Sequence, residues 1–293
     1  MPNFDDTVRA FVAAREFDRA TLSRLDFWVT QFGSSPLIGI SPDDVDEALV
    51  RLVLRGKLRP ARNKPSEKTG RPLAPSTINR YISQLGSVFK YAKRLRLIPR
   101  THVFPSANLE RSPEPADPDR YLRPEEVERL LKVAKVVDNR WCHLSALITL
   151  AHHSGLRKGN LMNLRWCDID FEARTATVRK TKNGQPIVAP LSRQAVEELL
   201  KLPNKHADAF VFEGRGGKPF NFRSLWVKVT REAGLGGRNF HQLRHGCGFM
   251  LASNGVNQAT VMQIMGHKTL TASARYMHSN VADRRKVIDR VFD

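Results

Sequence analysis

The sequence predicts a mainly α-helical fold in two domains, with a small antiparallel β-hairpin region in the second domain. Three observations support this prediction. Apolar residues recur at helical spacing along much of the chain, a proline-rich segment begins near residue 111, and an Asn-Gly pair separates two short runs of β-type residues. A chain of 293 residues with 41% hydrophobic residues also has enough apolar material for two cores.

The first domain, residues 1–110, is predicted to be helical. Apolar side chains repeat every three or four positions in segments 4–15 and 43–54, which is typical of amphipathic helices. A third helix is predicted to begin at Ser76, a favourable N-cap residue that follows Pro75. Its apolar positions form one stripe, so its basic residues lie on the outer face.

Charge is distributed unevenly in this domain. Segment 1–50 holds 4 basic and 9 acidic residues, whereas segment 51–100 holds 14 basic residues and 1 acidic residue. The whole chain has 48 Lys and Arg against 29 Asp and Glu, a net charge of +19 that indicates a polyanionic partner such as nucleic acid. A basic face that only meets solvent is the alternative. The residues expected to contact DNA phosphates are Arg80, Lys90, Lys93 and Arg94.

A linker is predicted over residues 111–123, because its closely spaced prolines exclude a continuous helix or a central strand. The second domain then covers 124–293 and begins with a helix that has Pro124 at its first position. An apolar stripe that ends at Gly155 predicts another helix. Further helices are predicted over 192–201, 222–233, 241–253, 258–265 and 271–277.

Residues 175–179 and 186–190 are predicted to pair as a β-hairpin. Asn183 and Gly184 lie between them and suit a type I′ turn, because both residue types tolerate positive φ. The chain ends in an amphipathic segment, residues 280–293.

The sequence gives no indication of a disulfide framework, a metal or nucleotide site, or a membrane span. The three cysteines, Cys142, Cys167 and Cys247, have no zinc-type spacing and do not suggest a disulfide framework, so a reducing, cytoplasmic environment is expected. No apolar run approaches the length of a membrane span. The sequence also has no phosphate-binding GxxxxGK[ST] loop and no acidic cluster of the two-metal type, so neither a metal nor another cofactor is expected.

Four short segments point to a specific chemistry: SGLRKGNL (154–161), TKNGQ (181–185), HQLRH (241–245) and MGHKTLTASARYMH (265–278). In order and spacing they resemble the catalytic signature of the tyrosine recombinases, the phage integrase family. The resemblance extends from about Tyr121 to the end of the signature and, more weakly, into the helical N-terminal half. It implies a two-domain, C-shaped clamp on DNA, with a core-type DNA-binding domain followed by a catalytic domain.

The resemblance assigns a phosphate-binding role to four residues. An attacked phosphodiester gathers negative charge on its non-bridging oxygens, and the planar guanidinium groups of Arg157 and Arg244 match those oxygens. The resemblance implies that His241 hydrogen-bonds the phosphate or handles the tyrosine proton. It also implies that His267 donates to the same phosphate. His241 lies three residues before Arg244, so a helix would place both on one face.

The resemblance makes Tyr276 the nucleophile, which forms a 3′-phosphotyrosine intermediate. A phenol ionises near pH 10 in water, so neighbouring cationic groups must help it lose its proton. Lys182, at the predicted hairpin tip, is the expected general acid for the leaving oxygen, with Lys180 as the competing candidate. His245 is expected to support the site from a second layer of contacts.

Three positions depart from the family pattern. The acidic residue usual three places after the first arginine is Asn160, an acidic residue often present in the second motif is Gln242, and a small hydroxyl residue is replaced by Gly246. Loss of the carboxylate at Asn160 is expected to leave Arg157 less constrained.

The resemblance implies a site-specific recombinase that acts on double-stranded DNA carrying inverted repeats. Recombination exchanges strands between two duplexes, so four protomers are expected on DNA from a chain that is monomeric when free. Tail 280–293 could dock on a neighbouring protomer or on its own domain. Integration, excision and dimer resolution all remain open, as do accessory proteins. The alternatives are relaxation of supercoils by a type IB topoisomerase and a non-catalytic architectural role.

Overall fold

The computed structural model divides into two compact units, Met1–Ala116 and Asp117–Asp293. Each unit has its own large hydrophobic core. The structure describes residues 2–59, 67–114, 121–139, 141–181, 184–203 and 205–274, together with 276, 285 and 289. Mainly helical structure with a small antiparallel sheet confirms the predicted fold class. In the described ranges, no helix is long and apolar enough to cross a membrane.

The first unit is built from helices packed around aromatic side chains. Trp28 is fully buried, and its indole nitrogen donates to the Tyr81 carbonyl at 2.9 Å. The helices are α1 (Phe4–Ala13), α2 (Arg19–Phe32), α3 (Pro42–Arg55) and α4 (Pro75–Arg94), and short strands β1 (Leu58–Arg59) and β2 (Glu67–Lys68) pair antiparallel. The sequence analysis did not identify α2, although Asp18 caps it by accepting from the Thr21 amide at 2.8 Å.

Helix α4 begins two residues earlier than expected. Ala74 is its N-cap and Pro75 its first residue, so the prediction that Ser76 caps the helix is wrong. Proline suits this position because its missing N–H would have no partner in the first turn. Within α4, the buried Asn79 amide donates to the Ser112 carbonyl at 2.9 Å and to the Glu114 carboxylate at 3.0 Å. The first residues of the predicted linker are therefore tied to this unit.

The second unit surrounds one central helix. Its helices are α5 (Pro124–Val137), α6 (His143–Ser154), α7 (Lys158–Met162), α8 (Arg193–Leu200), α9 (Arg223–Glu232), α10 (His241–Ser253), α11 (Gln258–Met265) and α12 (Leu270–Ala274). Helix α6 is buried along most of its length and packs against α5, α8 and α10. Because α6 is apolar on nearly all sides, it belongs at the centre of a core.

A three-stranded antiparallel sheet, β3 (Ile169–Asp170), β4 (Thr175–Val178) and β5 (Ile187–Pro190), contains the predicted hairpin. The Gly184 amide donates to the Thr181 carbonyl at 3.0 Å. The predicted Asn183-Gly184 turn falls partly outside the described residues and stays a prediction. Positions 182 and 183, including the candidate acid Lys182, lie outside the described residues.

The contact between α6 and α10 includes a half-buried imidazole. His152 lies with Nδ1 3.4 Å from the Leu243 carbonyl oxygen. Burial, with a smaller contribution from the neighbouring His153, lowers the pKa of His152 to about 4. The pKa of His153 is also lowered by burial, and its Nδ1 lies 2.6 Å from the Ser192 hydroxyl. Both His152 and His153 are therefore favoured in the neutral form, because burial makes their protonated forms less stable.

We predict that acid weakens this unit through His152. An unfolded histidine binds a proton near its ordinary pKa of about 6.5. The folded protein does so only near pH 4, so the unfolded state binds more protons in between. The free energy of unfolding should therefore fall between pH 6.5 and pH 4, by on the order of 1–3 kcal/mol for this group.

The measurement is urea unfolding followed by circular dichroism at pH 7 and at pH 4.5. His152→Gln keeps a donor for the Leu243 carbonyl but does not titrate, so it should lose less stability on acidification than the unmodified protein. His206→Gln, at an exposed position, is the control and should behave like the unmodified protein. Equal acid sensitivity of all three proteins would contradict the prediction.

Candidate active site

Two arginines of the predicted site bind neighbouring carbonyl groups. Arg244, in α10, donates through Nη2 to the Met265 carbonyl at 2.6 Å and through Nη1 to the Gly155 carbonyl. Arg157, the residue before α7, lies with Nη1 3.4 Å from the Gly266 carbonyl. Because Met265 and Gly266 are consecutive, these bonds bring the two guanidinium groups to one corner of the unit.

Glycines at two helix ends make this corner possible. Gly155 ends α6 with φ +61° and Gly266 ends α11 with φ +59°, both in the left-handed region that favours glycine. A Cβ on Gly266 would collide with the Ile187 side chain of β5. A Cβ on Gly155 would lie 3.2 Å from Cys247 Sγ. The close approach of these neighbours therefore also requires glycine.

Arg244 supplies positive charge inside the protein. Its side chain is only 4% exposed, and carbonyl oxygens orient a guanidinium group without neutralising it. Burial raises the pKa of the Cys247 thiol to about 12, and the nearby charge of Arg244 offsets only part of that effect. Cys247 is therefore a protonated thiol at neutral pH and is a poor competitor for the role of nucleophile.

Tyr276 lies among the predicted histidines. Its side chain is 6% exposed, and its hydroxyl lies 2.8 Å from His245 Nδ1. The His267 ring stacks nearly parallel to the tyrosine ring, with centroids 6.1 Å apart and an interplanar angle of 13°. His267 Nδ1 lies 2.8 Å from the Ser273 hydroxyl. The exposed His241 opens α10, and its ring meets that of His245 edge-on at 4.8 Å.

Gly248 makes room for the tyrosine ring and was not identified from the sequence. A Cβ at this position would lie 2.8 Å from Tyr276 Cε2 and 2.8 Å from Met265 Sδ. The ring therefore packs directly on the backbone of α10. A glycine within a predicted helix costs about 1 kcal/mol relative to alanine, so its presence inside 241–253 was the available signal of a close approach.

The three departures from the family pattern have different settings. Asn160 Nδ2 is buried without a hydrogen-bond partner among the described residues. Gln242 accepts from the Asn239 amide at 2.8 Å and so ties α10 to the chain that precedes it, a bond that an acidic side chain could also accept. At Gly246, a Cβ would lie 2.9 Å from the Leu122 carbonyl oxygen and 3.1 Å from the His152 ring. His152 thus occupies space that a larger residue at 246 would need.

The basic residues predicted to bind DNA form a surface on α4 of the first unit. Arg80, Lys90 and Arg94 are exposed, and Lys90 and Arg94 line a cavity of about 380 Å³ together with Arg15. Lys93 differs, because its Nζ lies 3.4 Å from the His102 carbonyl and over the Phe104 ring. Two residues that the prediction omitted, Arg96 and Arg100, line an adjoining cavity with Lys90, Lys93 and Arg94.

In the described part of the chain, no group of three or more His, Cys, Asp or Glu side chains could hold a metal ion.

Comparisons with known proteins identify the family. The family model described as the phage integrase family matches residues 120–283. The integrase of Salmonella phage P22 is 24% identical over 92% of this chain and 74% of its own length. A tyrosine recombinase of Thermosipho africanus is 31% identical over 74% of this chain and 76% of its own length.

A solved structure has the same fold. The Tn1549 transposon integrase, in complex with a circular intermediate DNA, superposes with a TM-score of 0.74 at 18% identity, covering 99% of this chain and 100% of that one. The family model covers more than half of the sequence and includes both arginines, the histidines and Tyr276. This chain therefore belongs to the phage integrase family of tyrosine recombinases, enzymes that cut and rejoin DNA.

Proposed function

We propose that this chain is a site-specific recombinase in which Tyr276 attacks a scissile phosphate and forms a 3′-phosphotyrosine. The observation that supports the proposal best is the position of the tyrosine. Its ring packs against Met265, whose carbonyl accepts from Arg244, and the next carbonyl, that of Gly266, accepts from Arg157. The phenol and two cationic groups thus converge on one short segment.

The two arginines would stabilise the transition state. Negative charge grows on the non-bridging oxygens as the phenol oxygen bonds to phosphorus, and preorganised guanidinium groups oppose that charge without moving. His241 and His267 would donate to the same oxygens. The covalent intermediate keeps the energy of the phosphodiester bond, so the proposed reaction needs no ATP and no metal.

The DNA partner is proposed to be a duplex with inverted repeats. The integrase with the same fold is bound to DNA in its structure, and the exposed basic residues of α4 suit a phosphate backbone. Exchange of strands requires two duplexes and hence four protomers on DNA. A type IB topoisomerase would relax supercoils without joining two duplexes, and an architectural protein would form no covalent adduct. We place the reaction in the cytoplasm, with the chromosome or a mobile element as substrate.

We predict that Tyr276→Phe binds DNA but forms no covalent adduct, because it lacks the attacking oxygen. Each protein is incubated with a nicked recombination site and resolved on a denaturing gel. Tyr121→Phe is the matched control, since Tyr121 stacks on Phe249 with ring centroids 4.1 Å apart and keeps that contact as phenylalanine. The control should form the adduct. A protein-linked DNA band from Tyr276→Phe would refute the nucleophile assignment.

We predict that neutralising Lys90, Lys93 and Arg94 together weakens DNA binding and flattens its salt dependence. Each lost phosphate contact should reduce the log–log slope by up to about one unit. The control neutralises Arg9 and Arg51, which are already paired with Asp5 and Glu47. Its slope should match that of the unmodified protein. An unchanged slope in the triple variant would mean that this face does not touch DNA.

We predict that Lys182 protonates the departing 5′ oxygen. A substrate with sulfur at that bridging position needs no proton, because a thiolate is a good leaving group. Lys182→Ala should therefore cleave the ordinary site very slowly and the sulfur-bridged site at close to the unmodified rate. Lys180→Ala tests the competing lysine and should cleave both substrates normally. Absence of selective rescue by sulfur would exclude Lys182 as the general acid.

A further inference from the structure

The Tyr276 hydroxyl has a specific partner that the motif comparison did not indicate. We propose that His245 accepts the proton of Tyr276 through Nδ1 when the phenol attacks DNA. This inference rests on the proposed function and adds one step to it. It also changes the expected role of His245, which the sequence analysis treated only as a support for the site.

The geometry suits a proton transfer. The Tyr276 oxygen and His245 Nδ1 are 2.8 Å apart, within the range needed for general base catalysis. Gly248, three residues after His245 on α10, leaves the space that the ring fills, because a Cβ there would lie 2.8 Å from Tyr276 Cε2. One helix therefore supplies both the proton acceptor and the surface that holds the donor against it.

The neighbouring groups favour this assignment over the other two histidines. His267 lies against the face of the tyrosine ring, and its Nδ1 is directed at the Ser273 hydroxyl 2.8 Å away. His241 is exposed at the start of α10, where it suits a contact with DNA phosphate. Its ring also meets that of His245 edge-on. His245 Nδ1 lies within hydrogen-bond distance of the tyrosine oxygen, where it can accept from the phenol.

The proton balance is as follows. In the neutral acceptor, His245 carries its hydrogen on Nε2 and accepts from the phenol on Nδ1. During cleavage the Tyr276 O–H bond breaks and an Nδ1–H bond forms. The phenol oxygen bonds to phosphorus while the bond from phosphorus to the 5′ oxygen breaks, and that oxygen takes a proton from a separate acid. In rejoining, the 5′ hydroxyl returns its proton to that separate group and attacks the phosphotyrosine, while His245 returns its proton to the departing phenol oxygen.

Histidine has the right proton affinity for both directions. Imidazole has an ordinary pKa of about 6.5, so it is largely unprotonated at neutral pH, whereas phenol keeps its proton until about pH 10. An acceptor that is too weak would not help the attack. One that is too strong would hold the proton during rejoining, whereas a recombinase must run the step in both directions at one pH.

The experiment measures single-turnover cleavage of a nicked recombination site. His245→Ala should cleave on the order of 10²- to 10⁴-fold more slowly than the unmodified protein, with unchanged DNA affinity. His245→Asn can still hold the phenol by a hydrogen bond but cannot take its proton, so it should be nearly as slow. His206→Ala, at an exposed position, is the control and should cleave normally.

A second arm replaces Tyr276 with 2,3,5-trifluorotyrosine, whose phenol ionises at much lower pH. This replacement should restore most of the rate lost in His245→Ala and change the unmodified protein little. A sulfur-bridged substrate should not restore it, because sulfur helps only the leaving group. This pattern would separate a proton acceptor from a residue that only shapes the pocket.

The inference is overturned if His245→Ala or His245→Asn cleaves at the unmodified rate, or if trifluorotyrosine gives no rescue. Faster cleavage by His245→Ala also overturns it, since the hydrogen bond would then restrain the nucleophile. These outcomes leave the proposed function intact as long as the unmodified protein forms an adduct that Tyr276→Phe does not. Loss of that difference would instead remove the proposed function.

Discussion

The arrangement of the second unit depends on how the Arg244 guanidinium group is buried. A charged group loses its hydration inside a protein, and the loss is tolerable only when its N–H groups find oxygen acceptors. Here the acceptors are the carbonyls of Gly155, at the end of α6, and Met265, at the end of α11. A group on α10 therefore fixes the ends of two other helices.

The same bonds explain why small residues surround the site. Helices α6 and α11 both end in left-handed glycine, and Gly248 lets Met265 and Tyr276 approach the backbone of α10. A side chain at these positions would press on the Cys247 sulfur, on the Ile187 side chain, or on the Met265 sulfur and the Tyr276 ring. Catalytic groups tolerate little displacement, because stabilisation of the transition state depends on geometry. The position of the catalytic groups therefore depends on the glycines around Arg244 as well as on its charge.

The sequence predicted the parts of the fold that repeat locally. Helical spacing located α1, α3 and α4 and most helices of the second unit, and the motif residues Arg157, His241, Arg244, His267 and Tyr276 stood out because their order and spacing are unusual. Their grouping in one place was expected from the family resemblance alone. Physical reasoning from the sequence could not have supplied it, because it depends on contacts between residues up to about a hundred positions apart.

Other features depend on tertiary structure and could not be read from local pattern. The register of the hairpin, with Val178 opposite Ile187, is set by the pairing of β4 with β5 and not by local pattern alone. Lys93 is basic and lies on the predicted helix, yet it is directed at the His102 carbonyl, a contact that only the folded chain creates. The partner of His245 was hidden for the same reason, since 31 residues separate it from Tyr276.

The site assigns two chemical tasks to different groups: the arginines stabilise charge, and an imidazole is placed to take the proton. Arg157 and Arg244 are held by carbonyl oxygens, so their orientation does not depend on the protonation state of any neighbour in those bonds. Tyr276 is instead bonded to an imidazole, a type of group that can accept a proton and return it. Charge stabilisation can then stay constant while a proton moves, which suits a reaction whose forward and reverse steps use the same phosphate. The short segment from Met265 to Tyr276 connects the two tasks, because it carries both the carbonyls that bind the arginines and the phenol that attacks.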